Sequence, residues 1–126
     1  MHQLLLVGIG GFFGAIARYG TKELTALLFV TAFPLGTLVV NVVGSLLLGI
    51  GATVAYESEW LSHHAQLLLF SGLLASFTTF SSFSVESLQL LEQGRSDLFI
   101  LYAGGSVSLC LLGAWFGFTV TRLFIP

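Results

Sequence analysis

Nine consecutive residues, Ser76-Phe77-Thr78-Thr79-Phe80-Ser81-Ser82-Phe83-Ser84, carry only hydroxyl and phenyl side chains. With no charge, amide or proline, the run is ill suited to simple contact with lipid. Inside a membrane, hydroxyls and aromatic edges make a lining for a path taken by something small and polar. Phe80 and Phe83 are i, i+3 neighbours, so both rings leave one face of a helix. A phenyl ring is negative on its face and positive at its edge. An edge therefore meets an anion without trapping it, and conduction needs binding weak enough to release. Stacked core phenylalanines give the same spacing, and with 12 Phe in the chain spacing alone favours that plainer reading. Each hydroxyl also has an ordinary use, bonding the carbonyl four residues back; six within nine residues are harder to dismiss.

Other polar groups sit among aliphatics. Asn41, in Leu38-Val39-Val40-Asn41-Val42-Val43-Gly44, must use its donors and acceptor within the protein. It is either a clamp between helices or a donor to an anion, and it shares a helical face with Ser45. Tyr102 and Ser106, four apart, share a face that complements the phenyl pair. Glu86, one turn beyond Phe83, is the only acid well inside an apolar stretch, and such a carboxylate is a functional candidate by default. It serves as a proton relay or pairs with Arg18. Gly72, Ala75 and Ser76 followed by Thr78 and Thr79 mark a place for a helix to break, where freed carbonyls line a cavity or bind a cation.

The elements that must position these groups are membrane spans. The chain of 126 residues is 56% hydrophobic and 8% charged, with a mean hydropathy of +0.98, against roughly 25% charged residues in soluble domains. Four stretches, about 4–28, 35–56, 65–91 and 98–124, are each long enough to cross a bilayer, which takes about 20 apolar residues. This predicts an all-α integral membrane domain over 1–126. The first stretch, without a basic leader region, is expected to be retained rather than cleaved. A net charge of −2 without a basic patch argues against a nucleic-acid partner. The single Cys110 excludes an intrachain disulfide, and the adjacent His63 and His64 point apart, so no zinc site is expected.

Charge specifies orientation weakly. Only Arg18, Lys22, Arg95 and Arg122 are basic, and the short loops carry few of them, so the bias that normally fixes topology permits both insertions. Glycines inside the spans, among them Gly8, Gly10, Gly11, Gly14, Gly44, Gly49, Gly51, Gly104, Gly105 and Gly113, read first as close helix packing. Four short spans leave little interior, so a selective pore calls for a second subunit.

Three segments taken together resemble the Fluc (CrcB) family of fluoride channels in order and spacing. They are Gly10-Gly11-Phe12-Phe13-Gly14-Ala15-Ile16-Ala17-Arg18-Tyr19, Gly36-Thr37-Leu38-Val39-Val40-Asn41-Val42-Val43-Gly44-Ser45, and Gly72-Leu73-Leu74-Ala75-Ser76-Phe77-Thr78-Thr79-Phe80-Ser81-Ser82-Phe83. The resemblance implies an antiparallel, dual-topology homodimer of four-helix subunits with the third helix broken. It also implies two pores that export fluoride passively across the cell (inner) membrane and so reduce its toxicity. Carried over, it makes Phe80, Phe83 and Asn41 pore residues. Tyr102, Ser106, Ser108, Ser81 and Ser82 become the polar track, and Arg18 a vestibule arginine. A structural Na+ at the dimer interface would rest on the carbonyls of Ala75 and Thr78. The family often has Gly-Gly where this chain has Ala75-Ser76, which tests the cation site.

Two rivals remain open on the residues alone. A small dual-topology proton-coupled exporter would use Glu86, since no acid lies in 1–17. A non-transporting stabilising subunit would need only Gly-rich helices. An enzyme is not expected, because no nucleophile stands at a recognisable spacing from a base or metal.

Overall fold

A computed structural model describes residues 1–125 of the chain. It is built of helices, with no strand among the described residues. Four helical segments are long and apolar enough to cross a membrane: His2–Leu28, Leu35–Glu57, His63–Glu92 and Ser96–Arg122. Each begins and ends within two residues of the stretch read from hydropathy. The first, second and fourth are α1, α2 and α6. The third is composite. It opens as α3 (His63–Gln66), widens into a π-helix over Leu67–Leu74, and closes with the single turn α4 (Ala75–Phe77). It then resumes as α5 (Phe80–Glu92). π-Helical turns are rare and concentrate at functional sites; this one leads directly into an interruption.

Lipid gives helices no hydrophobic reason to associate, so close approach of backbones must supply the packing. Gly10 and Gly14 of α1 are buried against the π-helix, where a Cβ at either would collide with backbone of Leu68 or Leu73. A Cβ at Gly72 would stand 2.8 Å from the Val7 carbonyl. Gly49 and Gly117 close the α2–α6 seam in the same way, and Gly51 admits the ring of Phe70. Close packing therefore accounts for these glycines. It does not account for Gly8, Gly11, Gly104 and Gly105, whose Cβ positions are open within one chain.

The helix ends are set by local chemistry. Pro34 precedes α2, its lack of an N–H costing nothing there. After α5, Gly94 adopts φ +72, with Gly94 N–H donating to Leu91 and Arg95 N–H donating to Leu90. That paired closure satisfies the last carbonyls of the helix. At the opposite face of the bundle Arg122 donates to Glu57 through Nε (2.8 Å) and Nη2 (2.6 Å), tying the ends of α6 and α2.

Candidate functional site

The third span breaks at Thr78 and Thr79, both in extended conformation (ψ 159 and 113). Of the stretch marked from Gly72 to Thr79, only these last two residues leave the helix: Ala75 is helical, with φ −64 and ψ −34. Alanine takes that conformation freely, so the absence of Gly-Gly here costs the backbone nothing. Ser76 adds a tether instead, donating to the Gly11 carbonyl at 2.9 Å.

Breaking a helix at membrane depth orphans backbone groups, each of which costs free energy unless paired. Thr79 N–H, freed from the Ala75 carbonyl, donates to Asn41 Oδ1 at 2.7 Å, and Asn41 Nδ2 donates to the Thr79 carbonyl at 3.0 Å. The Thr79 hydroxyl accepts from Ser82 N–H at 3.2 Å and so caps α5. Asn41 is thus a clamp on the break, and one N–H of its amide remains beyond that exchange. Two carbonyls are left weakly served. Ala75 O receives only the Thr78 hydroxyl (3.3 Å), and Thr78 O receives Arg18 Nη1 at 3.4 Å. Arg18 therefore lies at the break.

Beside the break is a cavity of about 270 Å³ lined by Asn41, Ser45, Leu48, Thr78, Thr79, Phe80, Phe83, Ser106, Val107 and Cys110. None of these ten carries a formal charge. The hydroxyl of Ser106 is buried and has no hydrogen-bond partner. A buried unpaired hydroxyl is unusual enough to require a reason, and this one lines a mostly apolar cavity. The Phe80 and Phe83 rings stand 5.4 Å apart, tilted by 42°. Phe80 is 78% exposed, so one chain leaves this wall of the cavity open.

The aromatic contacts continue away from the break. Phe83 meets Tyr102 at 5.3 Å, and Tyr102 meets Phe33 edge-on at 5.4 Å. Phe33 lines a second cavity of about 350 Å³ between the α1–α2 loop and α5, together with Lys22, Thr37 and Glu86. A row of four rings thus joins the two cavities. Tyr102 is fully buried, and its hydroxyl donates to Glu86 Oε2 at 2.8 Å. Glu86 Oε1 accepts from Lys22 Nζ (2.9 Å) and from the Thr37 hydroxyl (2.8 Å). The expected pairing of Glu86 with Arg18 is replaced by one with Lys22, one helical turn further along α1, while Arg18 is held at the Thr78 carbonyl.

The residues singled out by sequence therefore divide. Asn41, Phe80, Phe83 and Ser106 share the first cavity, and Tyr102 backs it through Phe83. Ser81 and Ser82 line a separate recess with Val85, Glu86 and Gln89, their hydroxyls each 3.2 Å from that of Thr79. Ser108 is exposed on another side of α6, because two residues along a helix turn the side chain through more than half a revolution. Lys22, Thr37, Phe33 and Cys110 were not singled out. Cys110 had a legible signal, since Tyr102, Ser106 and Cys110 follow at i, i+4 and i+8.

Residues 5–118 match the family described as CrcB-like protein, Camphor Resistance (CrcB). The chain belongs to the CrcB family. Three curated relatives are each named Fluoride-specific ion channel FluC. The one from Coxiella burnetii (strain CbuK_Q154) is 44% identical over 123 residues, covering 95% of this chain and 98% of the relative. That of Nitratidesulfovibrio vulgaris is 40% identical, covering 98% and 99%. That of Cereibacter sphaeroides (strain ATCC 17029) is 43% identical, covering 97% and 96%. As a CrcB family member with four helices fit to span, the chain is a multi-pass membrane protein.

Proposed function

We propose that this chain is a fluoride-selective channel that lets fluoride leave the cell passively, and that Phe80, Phe83, Asn41 and Ser106 are the groups the anion meets. One observation carries the reading: a cavity with no formal charge holds two phenyl rings, an amide and a buried hydroxyl without a partner. Uncharged donors and ring edges attract an anion while leaving it free to move on. Fluoride, small and a strong acceptor, gains most from such donors. Relatives named as fluoride-specific ion channels at 40–44% identity support the same reading.

The functional unit is an antiparallel homodimer of dual topology with two pores. The exposed Phe80 and the open Cβ positions of Gly8, Gly11, Gly104 and Gly105 support it, since both leave surface for a second copy. For the structural Na+, Ala75 and Thr78 offer carbonyl oxygens no longer in helical bonds, the donor type that hard cations take, and the Arg18 guanidinium, 3.4 Å from the Thr78 oxygen, would have to turn away for the ion to bind. A second copy would double that set; when bound, the ion would hold the broken helices together at the interface. The membrane is the cell (inner) membrane, and Ser81, Ser82 and Tyr102 extend the polar track toward Glu86. The exporter alternative finds less support. Its carboxylate must be free to exchange a proton for substrate, whereas Glu86 is engaged by Lys22, Thr37 and Tyr102.

The test is efflux from liposomes holding purified protein, read in parallel with fluoride and chloride electrodes. Fast fluoride release without a proton gradient and without chloride release is the expected result. No fluoride release rejects the channel.

A further inference from the structure

We infer that Lys22 is a positioning residue for anion passage: it neutralises Glu86 at the approach to the aromatic row, making a carboxylate tolerable there. The inference rests on the fluoride reading above. Glu86 lines both the cavity at the α1–α2 loop and the recess that holds Ser81 and Ser82. It therefore borders two openings, the first of which Phe33 also lines, and it holds the hydroxyl of Tyr102. An uncompensated negative charge there would repel an entering anion, and the repulsion grows as local polarity falls.

Lys22 is placed to cancel it. Its Nζ is 2.9 Å from Glu86 Oε1, with the two side chains 34% and 21% exposed. Among the described residues the other basic side chains are engaged elsewhere. Arg18 donates to the Thr78 carbonyl, Arg95 lies by Asp97, and Arg122 holds Glu57. The same contact has a geometric effect. With Lys22 and Thr37 on Oε1, Oε2 is left to accept from the Tyr102 hydroxyl. The phenol of Tyr102 is then fixed against Phe83, the ring that lines the first cavity. Lys22 thus acts on the anion's path through Glu86 and Tyr102 without touching the cavity itself.

Reversal of charge compensation distinguishes this from a merely structural role. In liposomes, Lys22→Gln is expected to lower fluoride efflux about tenfold, the effect of about one lost charge-assisted contact. Lys22→Arg retains most efflux, and Lys22→Gln with Glu86→Gln regains most of what Lys22→Gln lost. Wild-type efflux in Lys22→Gln overturns the inference, as does a double variant no faster than Lys22→Gln. If Lys22→Gln does not fold, the exchange Lys22→Glu with Glu86→Lys decides. Efflux from the folded exchange variant supports the pairing, and folded but silent protein overturns it. Wild-type vesicles that release no fluoride reject the channel reading itself, whereas each result above with active wild type bears on Lys22 alone.

Discussion

Asn41 and Thr79 exchange two hydrogen bonds across the interruption of the third span, 2.7 Å from the Thr79 N–H to Oδ1 and 3.0 Å from Nδ2 to the Thr79 carbonyl. A side-chain amide here takes the place of a backbone peptide unit, so the chain breaks its helix without stranding Thr79. The amide also lines the cavity beside Phe80 and Phe83. One residue therefore joins the structural requirement of the break to the surface offered to an anion.

Asn41→Leu should be among the more damaging single substitutions in the chain. It keeps the branched shape but strands a donor and an acceptor at membrane depth, at about 1–3 kcal/mol for each unmet group. That exceeds the roughly 0.6 kcal/mol typical of a hydrogen bond between membrane helices. Thermal unfolding in detergent should show a clear loss of stability relative to wild type, accompanied by loss of fluoride efflux. Unaltered stability would mean that Thr79 finds other partners.

Phe80→Ile and Phe83→Ile separate packing from conduction. Phe80 is largely exposed in one chain, so its replacement removes little internal packing. Each variant should elute from a sizing column as wild type does, yet lose at least about tenfold in efflux, or about 1.4 kcal/mol of barrier. Phe83→Ile should also loosen Tyr102, whose ring it contacts at 5.3 Å. Full efflux from either folded variant would take that ring off the anion's route.

The four spans were legible because a span is specified by the length and polarity of its own residues. The face shared by Phe80 and Phe83, and that shared by Asn41 and Ser45, followed from helical period alone. What local pattern could not supply was partner choice. Lys22 and Arg18 are equally basic, one turn apart on α1, and only the folded structure, which brings the Lys22 ammonium to the Glu86 carboxylate, gives Glu86 to Lys22. The exact place of the break has a related cause: within the marked stretch it falls at Thr78 and Thr79, where Asn41, on another helix, can receive the freed amide of Thr79. Ser108 lies on another side of α6 from Ser106 and Cys110, which hold the cavity side of this chain.

Glycine substitutions report on the second copy. A Cβ at Gly14 would collide with the Leu73 backbone within the same chain, so Gly14→Val should prevent folding or cost about 1–3 kcal/mol or more. Gly104 and Gly105 have open space around their Cβ positions, and alanine in an exposed helix interior is favoured by up to about 1 kcal/mol over glycine. For an isolated chain, Gly104→Ala or Gly105→Ala should therefore be neutral or stabilising. In the proposed dimer at least one of them should weaken association, seen as a shift toward monomer in dilution-dependent crosslinking. If both variants dimerise as tightly as wild type, that face of α6 meets lipid.

Cys110 offers a chemical probe of the cavity. It is the chain's only cysteine, partly buried, one turn beyond Ser106, and it lines the cavity with Phe80, Phe83 and Asn41. A small, neutral methanethiosulfonate that enters the cavity should form a mixed disulfide with the Cys110 thiol. Because the cavity is only about 270 Å³, even a small adduct competes with an anion for its space. Fluoride efflux should fall in proportion to the fraction of protein modified, measured by mass spectrometry, and recover when the mixed disulfide is reduced. Cys110→Ser protein should conduct and ignore the reagent. Complete modification without loss of efflux would place the anion's route away from this cavity, and with it the role assigned to Ser106.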